Sequence, residues 1–194
     1  MTGTIDLAPA ADRLLAIAAR VSDDQLSGPT PDEGRSVGQL LQHLVGLTAA
    51  FRAAALKDLG PLTDTSPDSD GWPELEAGWR DRLSAQVPAL VEAWRDPEAW
   101  QGMTRAGGVD LPGEAAGLVV LDELVLHGWD LARATGQDYT IDDLSAAACL
   151  AFVEQFDPTG TPGLFGAAVP VSHDASTLER AIAGSGRDPG WAPA

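Results

Sequence analysis

The sequence predicts an all-α fold: a four-helix bundle with one extra helix, a short hairpin or extended loop, and a Pro/Gly-rich C-terminal tail. Three observations carry this. Apolar residues recur at three- and four-residue spacing over several long stretches. Segments dense in Pro, Gly, Ser and Asp separate those stretches. One stretch, around residues 112–135, is apolar on nearly every side, and such a helix belongs at the centre of a bundle.

The first helix is expected over residues 6–21, where Leu7, Ala11, Leu14, Ala18 and Val21 share a face and Pro9 falls in the permissive first turn. SGPTPDEG, residues 27–34, then breaks the pattern. Ser36 reads as the N-cap of a second helix to about residue 58, with Val37, Leu40, Leu41, Leu44, Leu47, Thr48 and Phe51 on its core face. GPLTDTSPDSDGW, residues 60–72, reads as an exposed connection. Pro73 opens a third helix that ends at Asp96-Pro97, and Pro88 is expected to kink or divide it. Gly107-Gly108 marks the hairpin or extended loop. The fourth helix starts behind Pro112 and stops at Gly136. A fifth runs from Ile141 to Phe156, and a short one over residues 176–183 interrupts the tail.

With 194 residues, 44% of them hydrophobic, and a mean hydropathy of −0.04, the chain fits a single domain over residues 1–194. The bundle would occupy 1–157 and the tail, 158–194, would wrap it. A formal charge of −17 disfavours nucleic acid and anionic membrane surfaces, because both present phosphates that would repel it. No apolar run reaches about 18 residues, and the N-terminal stretch has neither a basic nor an apolar signal region. A cytoplasmic protein is therefore the expectation, with a homodimer through a shared apolar face compatible with the pattern. Cys149 is the single cysteine, so no intrachain disulfide forms. Within AAACLAF it reads as a small buried apolar residue.

The chemistry concentrates in LDELVLHGWDLARATGQ, residues 121–137. Glu123 and His127 are four apart, which stacks them on one helical face, and Asp130 continues that line. An acid and an imidazole extending an apolar stripe must be paired, hydrogen-bonded or metal-bound. His43, at the edge of the second helix's buried stripe, completes a set of two imidazoles and a carboxylate. Three such ligands with an open fourth position suit catalytic zinc, while iron, nickel and manganese suit the same donors. The alternative is an internal hydrogen-bond network. Asp130 lies about 10 Å along the helix from Glu123, so it is cast as an orienting or pocket group, or as a partner of Arg133. Arg105 is a candidate for binding an anionic group of a substrate, against an ordinary surface arginine. Trp129, with Trp100, is a candidate pocket wall, against a place in the core. His173 is expected to be solvated. No H-E-x-x-H, G-x-S-x-G or phosphate-binding glycine loop is present, so hydride and phosphoryl transfer are not expected.

The histidine in VGQLLQHLVG followed by DELVLHGWDLARATG resembles the mycothiol-dependent maleylpyruvate isomerase metal-binding domain, within the wider DinB-like superfamily. The likeness covers nearly all of the chain, and the ending GRDPGW resembles that of single-domain actinobacterial members. It implies a DinB-like bundle in which His43, Glu123 and His127 hold the metal, usually zinc. It also implies a low-molecular-weight thiol such as mycothiol as co-substrate, with isomerisation or S-transfer on a small electrophilic molecule. Many relatives have Thr-Pro-Cys and Trp-Thr-Val segments before the first histidine. This chain has Thr30-Pro31-Asp32 and Arg35-Ser36-Val37, which remodel the pocket mouth. On this reading Asp130 moves the proton. A hydrolase using metal-activated water, and a metal- or ligand-binding module without turnover, are the competing readings.

Overall fold

Most of the helices begin where a nearby side chain or a proline suits the first turn. The computed structural model describes residues 4–32, 34–65, 71 and 73–193. Helix α1 spans Ala8–Ala18, and Asp6 Oδ1 accepts the Ala8 N–H at 3.0 Å. Helix α2, Val37–Ala55, starts at a reciprocal cap: Ser36 Oγ takes the Gln39 N–H while Gln39 Oε1 takes that of Ser36. The Asp142 carboxylate receives the Ser145 N–H at the start of α6, Asp143–Val153. A second reciprocal cap, Ser176 with Glu179, opens α7, Thr177–Gly184. Helix α5, Gly113–Ala134, follows Pro112, and Gly136 beyond its end takes φ 67°, a conformation that costs glycine little.

Several boundaries differ from the sequence expectation, each for a local reason. Helix α2 stops at Ala55 because Lys57 turns to φ 57° and sends its ammonium to the Ala99 carbonyl at 3.0 Å. The connection over residues 60–72 opens with a short helix α3, Pro61–Asp64; residues 66–70 and 72 lie outside the described residues. The third long helix, α4, begins at Trp79 instead of Pro73. Its expected first turns are instead irregular and end in a turn, with the Glu76 N–H on Gln42 Oε1 at 3.0 Å and Gly78 left-handed at φ 77°. Helix α4 runs unbroken through Pro88 to Arg95. Pro88 and Ser84 are exposed, so water can take the carbonyl that the missing N–H releases.

The four long helices close a ring. α1 packs on α4 and α5, and α2 packs on the same two. Leu14, Ile17, Leu40, Leu41, Leu44, Leu83, Leu90, Leu121, Leu124 and Leu131 fill it, all at 1% exposure or less. Each such leucine contributes about 2 kcal/mol of burial. Helix α6 covers α5 and α7 covers α6, and Phe165 and Ile182 of the tail join the same apolar core.

The hairpin is present as β1, Met103–Ala106, paired antiparallel with β2, Val109–Pro112. Gly107 and Gly108 carry φ of 57° and 79° in the two-residue turn. A Cβ on Gly108 would sit 2.8 Å from the Asp64 carbonyl oxygen, so the hairpin tip docks on α3 only as glycine. Among the described residues no helix is long and apolar enough to cross a membrane. These features agree with the all-α DinB-like fold expected from the sequence.

Candidate metal centre

The seam between α2 and α5 carries the polar cluster. His43 sits on α2 at 7% exposure, and His127 on α5 at 6%. Both turn Nε2 toward one carboxylate oxygen: Glu123 Oε2 lies 2.9 Å from His127 Nε2 and 3.4 Å from His43 Nε2. The rings meet edge to face, centroids 5.0 Å apart. One donor atom from each of the three lies within 4.8 Å of the other two.

Behind His127 the chain supplies a second layer. His127 Nδ1 donates to Asp130 Oδ2 at 2.9 Å. Asp130 has no exposed surface, and Arg187 of the tail grips it with two bonds, Nε to Oδ1 at 2.8 Å and Nη2 to Oδ2 at 2.9 Å. A third guanidinium nitrogen reaches Ser185 Oγ at 3.1 Å. The imidazole is thus fixed in one orientation, with Nε2 left for the seam. A metal-bound histidine characteristically has this outer carboxylate. The donor set and its backing fit a divalent ion held by His43, Glu123 and His127.

Electrostatics follow from this packing. Burial opposes charge on His127, but its bonds to Asp130 and Glu123 outweigh that and raise its pKa from 6.5 to about 9. Burial likewise opposes ionisation of Glu123, while the two imidazoles hold its carboxyl well below the usual range. For Asp130 burial is overcome by the charge of Arg187 and the bond from His127, which lower it. Asp122 goes the other way: burial, and then the charge of Glu123, lift it to about 7.

His43, Asp122, Glu123, His127 and Arg187 line a cavity of about 100 Å³. Asp32 and Arg35, 2.9 Å apart in their ion pair, stand on one side, and Leu126, Leu164 and Phe165 give it an apolar edge. A larger hollow of about 720 Å³ between the ends of α2 and α4 brings no histidine into its lining.

The family model for the mycothiol maleylpyruvate isomerase N-terminal domain matches residues 7–132. The chain belongs to that family. Relatives of this chain include an uncharacterized protein found in two strains of Mycobacterium tuberculosis. It is 29% identical over 143 residues, 73% of this chain and 72% of that one. Among solved structures, mycothiol-dependent maleylpyruvate isomerase matches with a TM-score of 0.58 at 17% identity, over 76% of this chain and 66% of that one. A histidine-to-alanine mutant of it gives 0.59 at 16%. At such identity the likeness speaks for the fold, and this chain spans about two thirds of the isomerase's length.

Of the residues singled out in the sequence, this maleylpyruvate isomerase-type domain brings His43, Glu123, His127 and Asp130 together. Arg105 lies elsewhere, in β1, bonded to Asp110 and Asp64 at 2.7 Å each, and is not in the cavity lining. Trp129 is part of the apolar core at 6% exposure, with the Arg133 guanidinium 5.9 Å from its ring. Arg133 itself bonds the Trp191 carbonyl, so Asp130 pairs with Arg187 and not with Arg133. His173 is exposed, and Cys149 is buried with its thiol on Asp122 Oδ1 at 3.3 Å. Sequence reasoning missed Arg187 and Asp122. The motif GRDPGW holds the first, but nothing local ties it to a residue 57 positions earlier. Asp122 stands beside Glu123 in the central motif, and an acid inside so apolar a helix was the available signal.

Proposed function

We propose that this centre binds a divalent metal, zinc by preference, and serves a thiol-dependent isomerisation or S-transfer on a small electrophilic molecule. One observation carries the reading: two Nε2 atoms and one carboxylate oxygen converge on the α2–α5 seam, with His127 locked from behind by Asp130. Two imidazoles and a glutamate form a common catalytic zinc set that leaves a coordination position open. The ion would supply Lewis acidity there, lowering the pKa of a thiol or water in contact with it.

The chain's own residues do the rest. His43, Glu123 and His127 hold the site, and Asp130 with Arg187 keeps the His127 ring from swinging. Leu126, Leu164 and Phe165 limit water, which strengthens polar interactions inside. Asp130 is read as a positioning residue: at zero exposure, with both oxygens engaged, it does not reach an occupant of the cavity. Mycothiol dependence belongs to the solved isomerase by its description, and its extension to this chain is part of the proposal.

The test combines elemental analysis with turnover. Untagged protein is expected to hold about one divalent ion per chain, and conversion of small electrophiles is expected only with both metal and thiol present. His127→Ala should lose both. Full turnover after complete chelation would refute the mechanism, and metal-dependent turnover without thiol would move the reading to hydrolysis.

A further inference from the structure

Asp122 is a charged-type side chain whose satisfaction inside the fold is poor. It is 5% exposed, and among the described residues its single hydrogen-bond partner is the Cys149 thiol, 3.3 Å from Oδ1. A thiol is a weak donor, and a buried carboxyl bonded only to it is left with unmet acceptor capacity. Ser and backbone donors hold Asp142, and a guanidinium holds Asp130; Asp122 has neither. Yet it is part of the cavity wall, one residue from Glu123 on the same helix. The remaining capacity of its carboxyl therefore faces whatever enters the cavity.

The cavity sets the size of the part of that visitor it can enclose. About 100 Å³ is room for about three water molecules. A fragment of one sulfur, two carbons and one further heavy atom is of that order. Asp122 directly precedes Glu123 on α5 and borders the same cavity, so a polar atom a few bonds from a sulfur at the His43–Glu123–His127 seam stays within the space that Asp122 borders.

We propose that Asp122 is a ligand-contacting, specificity-determining residue. It accepts a hydrogen bond from a hydroxyl, amide or amine carried two carbons from the sulfur of the thiol, so the site selects 2-hydroxy- and 2-amino-substituted thiols over plain alkyl thiols. This rests on the thiol reading given above. Cys149 holds the carboxyl from the far side and leaves the cavity side open.

The experiment uses zinc-loaded protein and two neutral probes, 2-mercaptoethanol and ethanethiol, with affinities measured by calorimetry at one pH. The quantity read is the affinity ratio in wild type against that in Asp122→Ala, because the two thiols also differ in acidity. The ratio is expected to fall by about fivefold in the variant, the net worth of one hydrogen bond, with ethanethiol binding within about twofold of wild type. A ratio unchanged by the substitution, with both thiols binding, overturns the assignment of Asp122 and leaves the thiol reading standing. Binding of neither thiol refutes the thiol reading and this inference with it. Should Asp122→Ala not fold, a crystal of loaded wild type with 2-mercaptoethanol reads the same contact. The hydroxyl oxygen on the Asp122 carboxyl supports the assignment, and a hydroxyl directed elsewhere overturns it.

Discussion

Replacing Arg187 by methionine tests whether the tail holds the centre in shape. The guanidinium makes two bonds to a carboxylate without exposed surface and one to Ser185, at 2.8, 2.9 and 3.1 Å. Breaking a buried pair by removing one partner costs about 3–5 kcal/mol, because the other charge is left uncompensated. Asp130 keeps its bond from His127, so the lower end, about 3 kcal/mol, is expected. Against a total stability of about 5–15 kcal/mol the variant still folds. Urea unfolding of chelator-treated protein at pH 7 reads the loss as a lower midpoint with little change in slope. Asp130→Asn alone strands the guanidinium and should cost a similar amount. In the double variant both charges are gone, so its loss should fall short of the sum by about 2 kcal/mol. A loss below about 1 kcal/mol in Arg187→Met, or strict additivity in the cycle, would refute the claim that these residues act as a buried pair.

Further outcomes follow from the same geometry. Asp130→Asn should weaken zinc binding by about 10–100-fold, read by competition with a chromophoric chelator, and an unchanged affinity would remove its positioning role. His127, raised to about 9, must surrender its Nε2 proton to an ion, so zinc affinity should fall about tenfold for each pH unit from 8.5 down to 7. Metal-free protein shows the opposite sign: the stability from this imidazole, about 3 kcal/mol, is full below 6.5 and lost as pH rises through 9. Denaturant midpoints between pH 6 and 9.5, with and without zinc, check both. Gly117→Ala would place a Cβ 2.4 Å from the Trp100 ring, which is tied to the Trp94 carbonyl at 2.7 Å. Overpacking of about 2 kcal/mol is expected, with no change in zinc content. Arg105→Ala should leave metal and thiol binding as they are; a loss of either would place the hairpin in the site.

The parts of the fold legible in the sequence were those governed by spacing. Leu14, Leu44 and Leu124 lie where a 3.6-residue period puts a core face, and Ser36 and Gly136 mark helix ends through local hydrogen bonding and φ preference. The clustering of His43, Glu123 and His127 was legible because two of the three share a helical face. The rest depends on partners that no local pattern reveals. Helix α4 starts late because Gln42 of α2 takes the Glu76 N–H. Asp130 bypasses Arg133, three residues on, because that guanidinium is drawn to the Trp191 carbonyl while Arg187 arrives from the tail. Trp129 looked available for a pocket only because sequence does not say which arc of an all-apolar helix meets the cavity.

The seam joins residues 80 positions apart, and its rear clamp comes from 57 positions beyond Asp130. Closing loops of that length costs entropy before any contact rewards it, so the trio is expected to assemble late on the folding route. An ion meeting the unfolded chain finds at most Glu123 and His127, one turn apart on a fraying helix. An ion bound there would act as a seal on a finished bundle, unlike fingers for which zinc is the template, and refolding should proceed at the same rate in a chelator as in its absence.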